Sequence, residues 1–125
     1  MPVVEIRALP QPEDVVEHAL VAVTARVAQA LGEEPQGTWA TWETIEANRY
    51  AEADDIAEAQ APDTHPPLVR ITAYEGRSAK QIEAMLAAAA ESLATALGLE
   101  PGNVFAVYEE ARSGRIYTGG RVVRG

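Results

Sequence analysis

Two stretches of this chain repeat each other. Ala30–Thr44 reads ALGEEPQGTWATWET and Ala96–Glu110 reads ALGLEPGNVFAVYEE. Ala30, Leu31, Gly32, Glu34, Pro35, Ala40 and Glu43 recur 66 residues later as Ala96, Leu97, Gly98, Glu100, Pro101, Ala106 and Glu109. Trp39 and Trp42 are answered by Phe105 and Tyr108. Self-similarity at a fixed offset marks two copies of one supersecondary unit. With 125 residues to hold them, the two copies must share one core.

The repeat extends backwards. Val16, Leu20, Val23, Val27 and Leu31 carry the spacing of a helical stripe, and Ile82, Leu86, Ala89, Leu93 and Leu97 repeat it. Gly32 and Gly98 follow these stripes, where a residue with positive φ closes a last helical turn. Ser78 is placed to cap the second helix. Apolar runs precede both helices, Pro2–Leu9 and Pro67–Tyr74, and in each the apolar residues alternate as in a strand. Each half therefore reads strand, helix, strand, and a helix joining two strands of one sheet makes them parallel.

The predicted fold is α+β: two tandem β-α-β units, a four-stranded sheet with two helices on one face, and a C-terminal hairpin signalled by Gly119-Gly120. Residues 1–50 form the first unit, 51–66 an ordered or semi-ordered linker, and 67–125 the second unit. Helices on one side leave the other sheet face apolar and aromatic, which predicts that a second subunit covers it.

Composition narrows the function. The net charge is −9 with no basic tract, which argues against nucleic acid and against an anionic membrane surface. There is no cysteine, so disulfides, thiolate zinc sites and thiol nucleophiles are ruled out, and with two scattered histidines neither a metal nor a cofactor is expected. No signal-peptide pattern is visible at the N-terminus, and a cytoplasmic protein is expected. His18 and His65 read as surface residues.

The second half resembles 4-oxalocrotonate tautomerase and its relatives. The residues that carry this are Pro67-Leu-Val-Arg-Ile, Glu75-Gly76-Arg77-Ser78, the alanine-rich helix, the strand Asn103 to Glu110, and Thr118-Gly119-Gly120. The first half opens with Met1-Pro2-Val3-Val4, the typical start of that superfamily. The double-length layout is similar to malonate semialdehyde decarboxylase and cis-3-chloroacrylic acid dehalogenase, whose fused chains are commonly trimers. The resemblance implies a homotrimer in which Pro2 is catalytic and Arg77 binds the carboxylate of a small-molecule substrate.

The chemistry of these two residues is consistent with that. Methionine before proline is readily removed, leaving Pro2 with a free secondary amine. An α-amino group titrates at roughly 7.7–8.0, and burial lowers this, so the amine can act as a general base near neutral pH. Pro67, an internal residue, has only an amide nitrogen. Arg77 can grip a carboxylate bidentately, and its counterpart in the first half is Gln11 or Pro12.

The second arginine of the short tautomerases is missing from Val104–Val107, and Arg115 or Arg112 are the available replacements. One of Trp39 and Trp42 should be core, and Trp42 is assigned to the site. Asn48 and Tyr50 resemble an Asn and aromatic pair of the fused members, with Tyr50 able to donate to an enolate oxygen. Tyr108 and Tyr117 have a similar status, and of these Tyr108 is assigned to substrate binding.

The expected activity is enol–keto tautomerisation of a small 2-hydroxy-alkenoate or arylpyruvate enol. The alternatives are a hydratase-dehalogenase or decarboxylase of 3-halo or 3-oxo acids, and a non-catalytic trimeric scaffold.

Overall fold

The computed structural model describes residues 1–125. The first unit contains β1 (Val3–Ala8), α1 (Glu13–Leu31) and β2 (Trp39–Thr44), and the second contains β5 (Leu68–Tyr74), α2 (Ala79–Leu97) and β6 (Phe105–Ala111). Between them lie two short strands, β3 (Ala51–Glu52) and β4 (Asp55–Ile56), and the chain closes with β7 (Tyr117–Thr118) and β8 (Arg121–Val122).

The four long strands form one sheet in the order β2-β1-β5-β6. β1 pairs parallel with β2, β5 pairs parallel with β6, and the two units join antiparallel through β1 and β5. In that join Val3 faces Thr72 and Arg7 faces Leu68. The start of each central strand therefore lies beside the end of the other.

Both helices cover one face. Val4, Ile6 and Ala8 of β1 and Val69, Ile71 and Ala73 of β5 are buried on it, because alternate residues of a strand share a face. Against them pack Ala19, Val23 and Val27 from α1 and Met85, Ala88, Ala89 and Leu93 from α2. The small residues in both sets let the helices approach each other and the sheet closely. Leu20, Leu31, Ile82, Leu86 and Leu97, five members of the apolar stripes, flank this core and are only partly buried.

Helix ends follow local chemistry. Ser78 accepts from the Gln81 backbone N–H at 3.1 Å while the Gln81 side chain accepts from the Ser78 N–H at 3.0 Å, a reciprocal capping box. Gly32 and Gly98 both stand at φ +68, the left-handed conformation that ends a helix at little cost only for glycine. The C-terminal hairpin turns through Gly119 and Gly120, both with positive φ.

The open face of the sheet exposes Trp39, Phe105 and Val107 among Glu5, Arg7, Arg70 and Glu109. No helix is long and apolar enough to cross a membrane.

The segment 51–66 is more built than a linker. It folds back through β3 and β4 and buries Ala57 and His65. The expectation of a surface His65 is corrected: the ring is 2% exposed and packs edge-on to Tyr50, with centroids 5.1 Å apart. Its Nε2 lies 2.8 Å from the Asp55 carbonyl, which only accepts, so Nε2 carries the proton. Its Nδ1 lies 3.0 Å from the Thr64 hydroxyl. The local sequence, with two following prolines, carries no apolar period to signal this burial.

Candidate active site

The antiparallel join of β1 and β5 places the N-terminus of the chain beside the turn that follows β5. Pro2 is the first residue anchored there: its side chain is fully buried and its carbonyl accepts from the Trp39 N–H at 3.0 Å. The corresponding bond in the other unit runs from Phe105 N–H to the Pro67 carbonyl at 3.0 Å. The two prolines thus start equivalent strands at opposite ends of the sheet.

Arg77 comes to the Pro2 end through the loop Glu75-Gly76-Arg77-Ser78. Gly76 has φ +104, a backbone conformation that a side chain would strain, and this turn carries Arg77 from β5 towards α2. The Glu75 N–H donates to the Ala111 carbonyl, and the Glu75 carboxylate accepts from the Ser113 N–H at 2.6 Å. The loop is therefore tied to the end of β6.

The Arg77 side chain is 19% exposed and donates from Nη1 to Glu33 at 3.0 Å. Glu33 is the residue after the α1 cap, and its own N–H is held by the Ala28 carbonyl at 3.0 Å. The pair therefore joins the two units. It is partly solvated, so it contributes about 0.5–1 kcal/mol to stability, little enough for a ligand carboxylate to compete for the arginine.

The electrostatics identify what surrounds the chain terminus. The Met1 amine is held below its ordinary value of 8.0 by burial first and by the Arg77 charge second, with Glu33 opposing both. With Met1 before it, the Pro2 nitrogen is an amide.

Tyr108 projects from the helix-facing side of β6, two strands from β1, with Ile71 its register partner. Burial, then Glu110, raise its pKa, and Arg77 is close enough to act against them. Its hydroxyl is buried with no protein hydrogen-bond partner. One end of the fold thus gathers a buried proline at the chain terminus, an arginine, a carboxylate and an unpartnered phenol.

Trp42 lies on the helix-facing side, packs against the core and donates its indole N–H to Thr44 at 3.1 Å. Its register partner is Ile6, whereas Trp39 pairs with Val3 near the Pro2 end and is 49% exposed on the open face. The two tryptophans thus take opposite faces, but the core one is Trp42.

Tyr50 and Asn48 lie at the Pro67 end, not beside Pro2 within the chain. The Tyr50 hydroxyl donates to the Pro66 carbonyl at 2.6 Å, a structural bond, and its pKa is raised by burial and by Glu52. Asn48 is exposed at φ +67 in the turn before it. Arg115 is exposed in the turn before β7, and its side chain makes no hydrogen bond or ion pair with Arg77 or Glu33.

Glu33 is the residue that sequence reasoning missed. A signal for it existed in the repeat, where Glu33 is matched by Leu99. No three His, Asp or Glu side chains come together as a metal site.

No protein-family model matches the chain, and no curated protein matches it in sequence. Solved structures do match in fold. A wild-type fused 4-OT solved as a symmetric trimer has a TM-score of 0.82 and 16% identity, over 97% of this chain and 94% of that one. A protein solved after inactivation by 2-oxo-3-pentynoate has a TM-score of 0.84 and 16% identity, with coverage of 97% and 94%. Malonate semialdehyde decarboxylase follows at 0.73 and 13%, with coverage of 94% and 90%. The chain has the fold of these structures, and the resemblance is one of architecture along almost its full length.

Proposed function

We propose that the protein is a cytoplasmic, homotrimeric tautomerase that converts the enol of a small 2-hydroxy-alkenoate or arylpyruvate to its keto form. The observation that carries this reading is the meeting of the Pro2 terminus with Arg77, one from each unit, beside a buried phenol that lacks a partner. Removal of Met1 frees the Pro2 nitrogen as the base. Its lone pair takes the enol hydroxyl proton, the O–H electrons form the carbonyl, and the C=C pair recovers that proton from the ammonium. Arg77 holds the substrate carboxylate through guanidinium N–H groups left free by Glu33. Tyr108, whose raised pKa keeps it protonated at neutral pH, donates to the oxygen as charge develops there. The exposed Trp39, Phe105 and Val107 on the open sheet face, together with the trimeric fused 4-OT structure, support the assembly.

The test is Pro2→Ala, assayed with phenylenolpyruvate and 2-hydroxymuconate after intact-mass measurement has shown that Met1 is gone. The expected result is a fall in kcat of about 10²-fold or more, in the range of general acid–base catalysis. An unchanged rate refutes the base. Labelling by 2-oxo-3-pentynoate, with the modified residue mapped by mass spectrometry, is expected at Pro2.

One observation favours a second reading. Glu33 places a carboxylate near the terminal amine, where it could activate water for hydration of a 3-halo or 3-oxo acid. In that chemistry the amine works as a cation, so the rate falls with rising pH instead of rising.

A further inference from the structure

We infer that the C-terminal segment 112–124, which carries the β7–β8 hairpin, is a basic arm that draws anionic substrate to the Pro2 end, more strongly the more carboxylates the substrate carries. The inference rests on the reading of that end as a carboxylate site. It starts from a charge reversal inside the repeat. At the offset of 66, residues 46–58 correspond to 112–124, and the two segments fold alike, each around a two-stranded hairpin. The Asn48 N–H donates to the Ala57 carbonyl at 2.8 Å, and the Gly114 N–H donates to the Val123 carbonyl at 2.8 Å. The Ala57 N–H returns to the Tyr50 carbonyl at 3.0 Å, as the Val123 N–H returns to that of Ile116 at 2.8 Å. Asn48 and Gly114 both have positive φ, as do Ala53 and Gly119. The charges on this shared backbone are opposite. Glu46, Asp55 and Glu58 stand where the other copy has Arg112, Arg121 and Arg124, and only Arg49 and Arg115 agree. Residues 46–58 hold five carboxylates and one arginine, whereas residues 112–124 hold four arginines and no carboxylate.

Each segment belongs to one end of the sheet. The acidic one closes the Pro67 end with Tyr50, which bonds to Pro66 and packs on His65. The basic one is tied to the loop that carries Arg77: the Ser113 N–H donates to the Glu75 carboxylate, and the Ser113 hydroxyl accepts from the Gly125 N–H. Arg112, Arg115, Arg121 and Arg124 are all exposed, and none has a side-chain hydrogen bond or ion pair. The hairpin does not need them, because the acidic copy builds the same hairpin without them. Unpaired, they direct their field into solvent, and with Arg77 they outnumber Glu33, Glu75 and Glu110 at this end. The chain as a whole carries −9 and repels an anion. The reversal makes the Pro2 end attractive to an anion and leaves the Pro67 end, whose proline nitrogen is an amide, repulsive.

The experiment measures kcat and KM for phenylenolpyruvate, with one carboxylate, and 2-hydroxymuconate, with two, at low and at physiological salt. The proteins are wild type and two double variants, Arg121→Gln with Arg124→Gln and Arg121→Lys with Arg124→Lys. For guanidinium groups about 10 Å from the substrate in water, losing both charges lowers kcat/KM about sevenfold for the dianion and about threefold for the monoanion at about 0.01 M salt. At about 0.15 M the loss shrinks to about twofold or less for both. The fall is carried by KM with kcat unchanged, and the lysine variant keeps the wild-type values. Asp55→Asn with Glu58→Gln, the matching change at the Pro67 end, alters neither constant. A purely structural role for the arginines would not produce a loss that depends on both substrate charge and salt. A glutamine variant with unchanged kcat/KM at low salt overturns the inference, as does an equal loss for both acids. A loss of oligomer mass by light scattering without that dependence also overturns it, and assigns the arginines to assembly. If wild type turns over neither acid, the tautomerase reading falls by itself. Dissociation constants for fumarate and crotonate then decide the inference: a greater weakening of fumarate in the glutamine variant at low salt upholds it, and unchanged or absent binding overturns it.

Discussion

Replacing Tyr108 with Phe should make the protein more stable and less active. The hydroxyl is buried and has no protein partner, while the ring packs against the core. A buried polar group without a hydrogen bond costs about 1–3 kcal/mol. Phenylalanine keeps the ring and removes that cost, leaving a gap of one oxygen atom, so the net gain is about 0.5–2 kcal/mol. For a domain of this size, 1 kcal/mol moves Tm by about 3–5 °C. Differential scanning calorimetry of the two proteins at one pH reads the shift. Turnover should move the other way. A donor placed where negative charge develops contributes about 10²-fold to kcat when it is lost, whereas KM, set by Arg77, stays within about twofold in the same case. A Tyr108→Phe protein that melts below wild type shows that the hydroxyl is bonded in the free protein and refutes the stability argument. One that melts higher yet turns over at the wild-type rate removes the phenol from the mechanism.

The same geometry predicts further outcomes. Burial and Arg77 hold the Met1 amine below its ordinary value; on the proposed reading the Pro2 amine meets the same groups, so kcat/KM should rise with pH through an inflection below the ordinary α-amino value of about 8. Since Glu33 acts in the opposite direction, Glu33→Gln should move that inflection lower still. The same depression makes the amine's contribution to stability fully present above its unfolded pKa and lost as pH falls through the folded one. A rate that falls with pH would instead support the lyase reading. Tyr50→Phe should cost about 1–2 kcal/mol in denaturant unfolding, because it strips the Pro66 carbonyl of its donor, and it should leave kcat unchanged. A tenfold loss of kcat would mean that a neighbouring chain brings Tyr50 to a Pro2 site.

Much of the architecture was legible in the residues alone. The offset of 66 identified two equivalent units, and the apolar spacings placed both helices and four strands. Gly32, Gly98, Ser78 and Gly119-Gly120 marked a stop, a stop, a start and a turn, and all four act in those roles. These features were readable because each reflects a period or a backbone conformation that a few neighbouring residues determine. That Arg77 has no counterpart in the first unit was readable because the repeat sets it against Gln11 or Pro12.

What the sequence by itself determined, then, was two β-α-β units, their caps and an arginine that only the second unit carries. Tertiary structure decided how the units join. The antiparallel pairing of β1 with β5 sets the start of one strand against the end of the other, and this brings Pro2, Arg77, Glu33 and Tyr108 to one end while Tyr50, Asn48 and His65 close the opposite one. It also decided that Trp42 and not Trp39 enters the core. Apolar periodicity says which residues share a face, but it is silent on which edges pair and in which direction. That choice comes from burying two helices on one shared sheet, to which residues far apart in the chain contribute together.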